Sequence, residues 1–259
     1  MTVGWITPDW PAPPNVRALS TWRHGGVSVA PYASLNLGDH VGDPPASVAE
    51  NRRRLAEAAG LPAQPKWLAQ VHGSHVVDLD AAPWSQAPGP LGPADACFAR
   101  QPRRVCAILT ADCLPILLAA DSGDLVAAAH AGWRGLAAGV IETLVRALPV
   151  PPARLMAWLG PAIGVEHFEV GAEVRETLLQ SDPGAAEAFT PNARGRFMAD
   201  LGLLARRRLA ALGVERIFGG DQCTFAEPDR YFSHRRDGTT GRQATLIWLE
   251  AAKILGESR

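Results

Sequence analysis

The sequence predicts an α+β fold, a single domain of mixed β-sheets covered by helices. Three apolar runs of strand length, Val105 to Leu109, Pro115 to Ala119 and Leu125 to Ala129, lack polar alternation, as strands buried on both faces do. Apolar spacing then becomes helical, at Leu136, Val140, Ile141, Leu144, Val145 and Leu148, up to Pro149. Helices and strands mix without the βαβ alternation of a doubly wound sheet. At 259 residues, 47% hydrophobic, the chain can fill one large core, and a single domain over residues 1–259 is expected.

The other elements follow from local signals. After a proline-rich entry (Pro8, Pro11, Pro13, Pro14), Val16 to Trp22 reads as a strand running into the Gly25-Gly26 turn. Ser47 and Glu50 have capping-box spacing ahead of a helix that stops at Gly60. Lys66 to Val71 and Val76 to Leu79 read as strands flanking the polar turn His72-Gly73-Ser74-His75. Ala81 to Pro93 carries four prolines and reads as a surface loop, short for a domain linker. Arg154 to Leu159 is a strand and Glu173 to Gln180 a helix. Asp200 caps a helix that carries Leu201, Leu204, Leu209 and Leu212 and stops at Gly213, and Ala244 to Leu249 is the closing strand.

Composition removes whole classes of function. With 25 basic against 26 acidic residues, nothing suggests a nucleic-acid arm or a polybasic membrane anchor. No apolar run approaches a membrane span, and the first residues lack the pattern of a signal peptide. Cys97, Cys106, Cys113 and Cys223 are widely spaced, which reads as a reduced, cytoplasmic protein.

Chemistry concentrates where apolar strands end in tight turns: Gln70-Val71-His72-Gly73, Thr110 to Pro115, and His130 to Gly135. His72, Cys113 and His130 offer two imidazoles and a thiolate, a set that suits a catalytic zinc with its fourth position open. Their separations match no zinc-finger or HExxH pattern, so the residues alone leave other readings standing. A cysteine between strands packs as a small hydrophobe, and a turn histidine is solvated or bonded to a carbonyl. Cys113 and His130 could be a nucleophile and its base. Copper could replace zinc, although Met1, Met156 and Met198 are all remote from these turns.

Taken together, QVHG, LTADCLPILL and AHAGWRGL resemble the signature of the laccase-domain family, once labelled multicopper polyphenol oxidoreductases and typified by the bacterial peptidoglycan-editing factor. The resemblance extends through HGGVS and SLNLGDHVGD, LGPAIG and FEVG, and CT with YFSHRRDGTTGRQA, so it covers nearly the whole chain. It implies one α+β domain and a metal, zinc with copper also possible, held by His72, Cys113 and His130 as the catalytic residues. It implies phosphorolysis of adenosine, inosine, guanosine and methylthioadenosine, with deamination of adenosine. Purine nucleoside and phosphate are then the partners. The sequence departs from the family at Asp95-Ala96-Cys97-Phe98-Ala99, where an aliphatic residue and Thr are more usual after Asp-Ala; Cys97 reads as packing.

Arginines supply a second clue. Arg23 precedes HGGVS and Arg134 opens the helix after His130, and guanidinium forks in such turns match phosphate. Both are expected to bind phosphate or substrate. Arg235, Arg236 and Arg242 cluster nearby, with Arg236 read as a solvated surface arginine. Asp112 either orients a ligand or caps the strand end. His75 and His234 have no assigned metal role, and His24, His40 and His167 are expected to bind no metal. Two other functions compete: a polyphenol oxidase, for which seven histidines with two in liganding turns are too few, and a cysteine-dependent hydrolase in peptidoglycan quality control.

Overall fold

Two β-sheets lie face to face, one backed by four helices and the other by a single long one, in a computed structural model that describes residues 2–81 and 91–251. The chain enters through β1 (Trp5–Ile6) and β2 (Val16–Thr21), then α1 (Pro45–Ala59). Short strands follow: β3 (Leu68–Ala69), β4 (Val76–Asp78), β5 (Leu91–Pro93) and β6 (Ala96–Ala99). The central strands are β7 (Val105–Thr110), β8 (Leu114–Ala120) and β9 (Val126–Ala131), succeeded by α2 (Trp133–Ala137) and α3 (Val140–Ala147). The second half contains β10 (Leu155–Leu159), β11 (Glu169–Val170), α4 (Ala172–Ser181), β12 (Phe189–Pro191) and β13 (Phe197–Ala199). It ends with α5 (Leu201–Ala211), β14 (Arg216–Gly219), α6 (His234–Asp237) and β15 (Gln243–Leu249).

The larger sheet has the order β14-β10-β8-β9-β6-β4 and the smaller β1-β2-β15-β7. Both mainly antiparallel, they explain the uniform apolarity of the central strands. On β8, Leu114, Ile116 and Leu118 face the helices, while Leu117 and Ala119 face the smaller sheet. That period of two, buried on each side, is what a middle layer requires. Leu136, Ile141 and Leu144 of α2 and α3, with Leu201 and Leu204 of α5, fill the helix side. Leu55 of α1 and Trp67 cover the outer face of the smaller sheet. The expected α+β domain of mixed sheets is therefore what the chain forms, and no helix among the described residues is long and apolar enough to cross a membrane.

Several local expectations are corrected. The Ser47–Glu50 capping box does not open α1; the helix begins at Pro45, whose fixed φ suits a first helical position, and no side chain caps it. Gly60 ends that helix in the left-handed region, as expected. The single helix expected from Leu136 to Leu148 is two, broken where Gly139 takes φ +79°. The strand expected over Lys66 to Val71 shrinks to β3, because the amides of residues 71–73 donate to the Asp95 carboxylate instead of a ladder. Of the loop expected over Ala81 to Pro93, residues 82–90 lie outside the described residues, and Leu91–Pro93 pairs with β3. Asp200 does cap α5, accepting from the Leu203 amide at 2.8 Å.

Candidate active site

The β8–β9 register creates half of the site. Leu114 pairs with Ala131 and Pro115 with His130, which places Cys113 beside Gly132 just past the paired ends. A Cβ on Gly132 would stand 2.6 Å from the Cys113 sulfur, so only glycine leaves the thiol its room. Asp112 turns the chain there with φ +98° and is held by both carboxylate oxygens. Oδ1 accepts from the Thr224 hydroxyl and Oδ2 from the Arg235 amide, each at 2.6 Å. Asp112 is thus a fastening for the 224–235 segment.

The other half is the loop after β3, which brings in His72 at φ +61°. Gln70 ties the loop to β7 by a reciprocal pair, its amide donating to the Leu109 carbonyl and its carbonyl accepting from the Leu109 amide, both at 2.8 Å. Asp95 holds the turn itself. Its carboxylate accepts from the backbone amides of Val71, His72 and Gly73 at 3.2, 2.9 and 2.7 Å. The same carboxylate lies 2.8 Å from His130 Nδ1.

These two halves converge. The ligating atoms of His72, Cys113 and His130 lie within 4.8 Å of one another, with Cys113 Sγ 3.8 Å from His72 Nε2. The imidazole rings meet edge to face, centroids 4.7 Å apart. Asp95 can only accept, so His130 Nδ1 carries a proton and Nε2 is the ring nitrogen left for a ligand. Two donors at about 2.1 and 2.3 Å from a tetrahedral ion sit roughly 3.5 Å apart, close to the sulfur–nitrogen separation seen here. The group fits a single metal ion.

Electrostatics favour the ligating form of the thiol. Burial alone would raise the Cys113 pKa, but the charge and hydrogen bonding of His130, with His72, bring it down to about 6. Burial would likewise discharge His130, yet Cys113 and Asp95 raise it to about 9. For Asp95, completely buried, the desolvation that would raise its pKa is outweighed by hydrogen bonds from His130, Gly73 and Val71, which keep it below the usual carboxylate range. Without a metal these shifts favour a thiolate–imidazolium pair; a metal ion would take the place of the proton on His130 Nε2.

The group opens into a cleft of about 350 Å³ lined also by His40, Gln70, Leu109, Thr110, Ala111, Arg134, His234 and Arg242. Arg134 is exposed there and stacks on Trp133. Arg23 is not among the residues that line this cleft. Its Nε donates to the Ala33 carbonyl at 3.1 Å, its Nη1 to the Pro228 carbonyl at 3.2 Å, and its guanidinium covers Phe232. Arg236, expected at the surface, instead clamps the carbonyls of Thr224, Phe225 and Tyr231. Sequence reasoning missed Asp95, Gln70, His40 and His234. Asp95 stood out only as part of the Asp-Ala motif, its role illegible because its partners lie 22 to 35 positions away; for Gln70, its place in the motif with His72 was the available signal.

The fold and site define a class: an α+β domain whose cleft ends in a Cys/His₂ group competent to bind a metal. Residues 17–250 match the family model described as multi-copper polyphenol oxidoreductase laccase. The purine nucleoside phosphorylase YfiH of Escherichia coli K12 is 52% identical over 244 residues, 94% of this chain and 98% of that protein. A purine nucleoside phosphorylase of Pseudomonas aeruginosa is 54% identical over 247 residues, 95% of this chain and 98% of that one. Among solved structures, the Neisseria meningitidis protein NMB0706 superposes with a TM-score of 0.88 at 47% identity, covering 95% of this chain and 99% of its own. YlmD from Geobacillus stearothermophilus gives 0.88 at 34% identity, covering 96% and 97%. The chain belongs to the laccase-domain family, among relatives that bear the name purine nucleoside phosphorylase.

Proposed function

We propose that this protein is a purine nucleoside phosphorylase acting on adenosine, inosine, guanosine and methylthioadenosine, with adenosine deaminase activity, and that residues 1–259 act as one domain. The observation that carries the reading is a thiolate–imidazole cleft in a chain more than half identical to phosphorylases along nearly its whole length. In the reaction an orthophosphate oxygen bonds to C1′ of the nucleoside as the C1′–N9 bond breaks. The electron pair leaves with the purine, which takes up a proton; the products are the free base and ribose 1-phosphate.

His72, Cys113 and His130 are the catalytic residues and the metal ligands, with zinc as the metal, since three protein ligands and an open fourth position are what a catalytic zinc takes, and copper as the alternative. When bound, zinc supplies a Lewis acid at the end of the cleft. The chain's own work is positional. Asp95 fixes the His130 ring and the turn carrying His72, so both imidazoles hold their direction. Arg134 presents a guanidinium fork to phosphate at the cleft wall. Leu109 and Ala111 give the cleft an apolar side on which a purine can lie. Holding both reactants in one enclosure makes a bimolecular encounter effectively unimolecular. A thiolate centre suits a reducing compartment such as the cytoplasm.

A laccase needs several copper centres, and the described residues assemble one His/Cys group. The deciding assay is inosine with and without phosphate, following hypoxanthine and ribose 1-phosphate, with an oxygen electrode on the same sample. Phosphate-dependent base release is expected. Equal release without phosphate would make the enzyme a hydrolase, and oxygen consumption with a phenol alone would make it an oxidase. Ammonia release from adenosine tests the deaminase activity.

A further inference from the structure

We propose that Arg242 is the fixed anchor for orthophosphate, gripping it in a second lobe of the cleft between the imidazoles of His40 and His234. This rests on the phosphorolysis reading and adds to it the place where the second reactant sits. The lobe is a cavity of about 200 Å³ lined by His40, Val41, His234, Gly238, Thr239, Thr240 and Arg242. Of these, His40, His234 and Arg242 also line the larger cavity that holds the Cys/His₂ group. The three stand where the two spaces join, so a ligand held by them reaches into both.

Arg242 is built into place. Its amide donates to Asn36 Oδ1 at 2.9 Å, and its carbonyl accepts from the Leu37 amide at 3.0 Å. Its stem passes over Gly38, where a Cβ would come within 2.8 Å of Arg242 Cγ. Nη1 donates to the carbonyls of Thr240 and Gly241, both at 3.0 Å. Among the described residues, no carboxylate lies within ion-pair distance of this guanidinium. Elsewhere in the molecule Arg207, Arg208 and Arg52 each hold an acid. Burial pushes the Arg242 pKa down against the charges of Cys113 and Asp112, which act on it from beyond ion-pair contact. The half-buried guanidinium therefore keeps room for an anion in direct contact. Nε and Nη2, which bond to none of the described residues, are the edge of the fork that phosphate oxygens match.

The flanking rings suit the same guest. His234 Nδ1 lies 2.7 Å from the Gly238 carbonyl, which can only accept, so the ring is pinned with Nε2 left over. Partial desolvation and the charge of Arg242 beside it lower the pKa of His40, an exposed side chain, with Arg52 adding to the effect against Asp39. It therefore adds hydrogen-bonding capacity to the lobe without another charge.

The experiment titrates wild type, Arg242→Gln and Arg242→Lys with orthophosphate by calorimetry, and assays each with inosine across a phosphate series. Arg242→Gln should weaken phosphate binding and raise its KM by about 10- to 100-fold, the span of one charge-assisted bidentate contact. The inosine KM should stay within about twofold, with metal content and circular dichroism unchanged, a split that general damage to the fold would not give. Arg242→Lys keeps the charge without the fork and should fall between; if the glutamine variant does not fold, the lysine variant decides by the same criterion. An unchanged phosphate affinity and KM in a folded variant overturns the assignment while leaving phosphorolysis intact. Phosphate binding that depends on Arg242 in a protein that cleaves no nucleoside overturns the phosphorolysis reading and leaves the subsite standing. Adenosine 5′-monophosphate serves as the alternative phosphate source; if it binds more tightly than orthophosphate in the presence of adenosine, the lobe is a nucleotide site and the proposal fails.

Discussion

Cys113 and His130 reach the site at the ends of paired strands, whereas His72 reaches it on a loop that lies in no ladder. The strand-borne half derives its geometry from a ladder: once Pro115 is opposite His130, the sulfur and the imidazole are neighbours. The loop-borne half has to be tied down atom by atom, by Gln70 onto β7 and by Asp95 onto three successive amides. Backbone pairing gives the first its rigidity, and side chains give it to the second. A mutation in the first should therefore change chemistry at little expense to the fold, and one in the second should disturb both.

The largest effect is expected from Cys113→Ala. Activity should fall by about 10³-fold or more, while the melting temperature moves by no more than about 3 °C, because the core does not lean on the thiol. Prolonged chelation should reproduce that loss reversibly, and metal analysis before and after checks it. Wholesale unfolding on either treatment would make the centre structural.

Asp95→Asn tests the join between the halves. The substitution turns one acceptor into a donor facing backbone amides and the His130 ring. A 10- to 100-fold drop in activity or metal affinity is expected, the scale for a metal ligand's hydrogen-bonded support. About 2 kcal/mol of stability should go with it, a Tm loss of about 4–8 °C. Calorimetric melting of the metal-free and metal-loaded forms separates the two effects; equal stability in both variants would show that the loop is not held through Asp95.

A glycine pair sharpens the contrast. An alanine at Gly132 drives its Cβ to 2.6 Å from Cys113 Sγ, while one at Gly73 meets Asp95 Oδ2 at an ordinary 3.6 Å. Gly132→Ala should lose about tenfold in activity and Gly73→Ala less than about twofold, by steady-state kinetics. An effect between those two is expected from Gln70→Ala, which removes the two bonds to Leu109. About 1 kcal/mol, a Tm drop of about 2–4 °C, and a few-fold lower kcat should follow. Faster amide exchange at residues 70–73, with exchange in β8 unchanged, would localise the effect to the loop.

How much of this was legible in the sequence follows the same division. β7, β8 and β9 could be read because burial on both faces leaves uninterrupted apolar runs, and α5 because Asp200 and Gly213 mark its ends. The positions of His72, Cys113 and His130 were found through motifs, and their convergence needed the fold. The role of Asp95 was illegible because its work is done on residues distant in sequence. The capping box failed because Pro45 offers an earlier start, and the helix after His130 broke because Gly139 adopts a conformation no helix interior contains. Arg23 and Arg242 looked alike on paper, each beside glycines in a polar motif. What separates them is whether the rest of the protein already occupies the guanidinium, and that is a tertiary fact.

The shared carboxylate of Asp95 has a consequence for how such a centre can be altered. Two imidazoles hang from one side chain, so they cannot be redesigned independently: any residue placed at position 95 must suit three backbone amides and one ring together. Cys113 hangs from nothing comparable. An engineer seeking a different metal or a different reaction in this cleft should therefore vary position 113 first, where a substitution alters one donor, and leave position 95 alone, where a single change rewrites two.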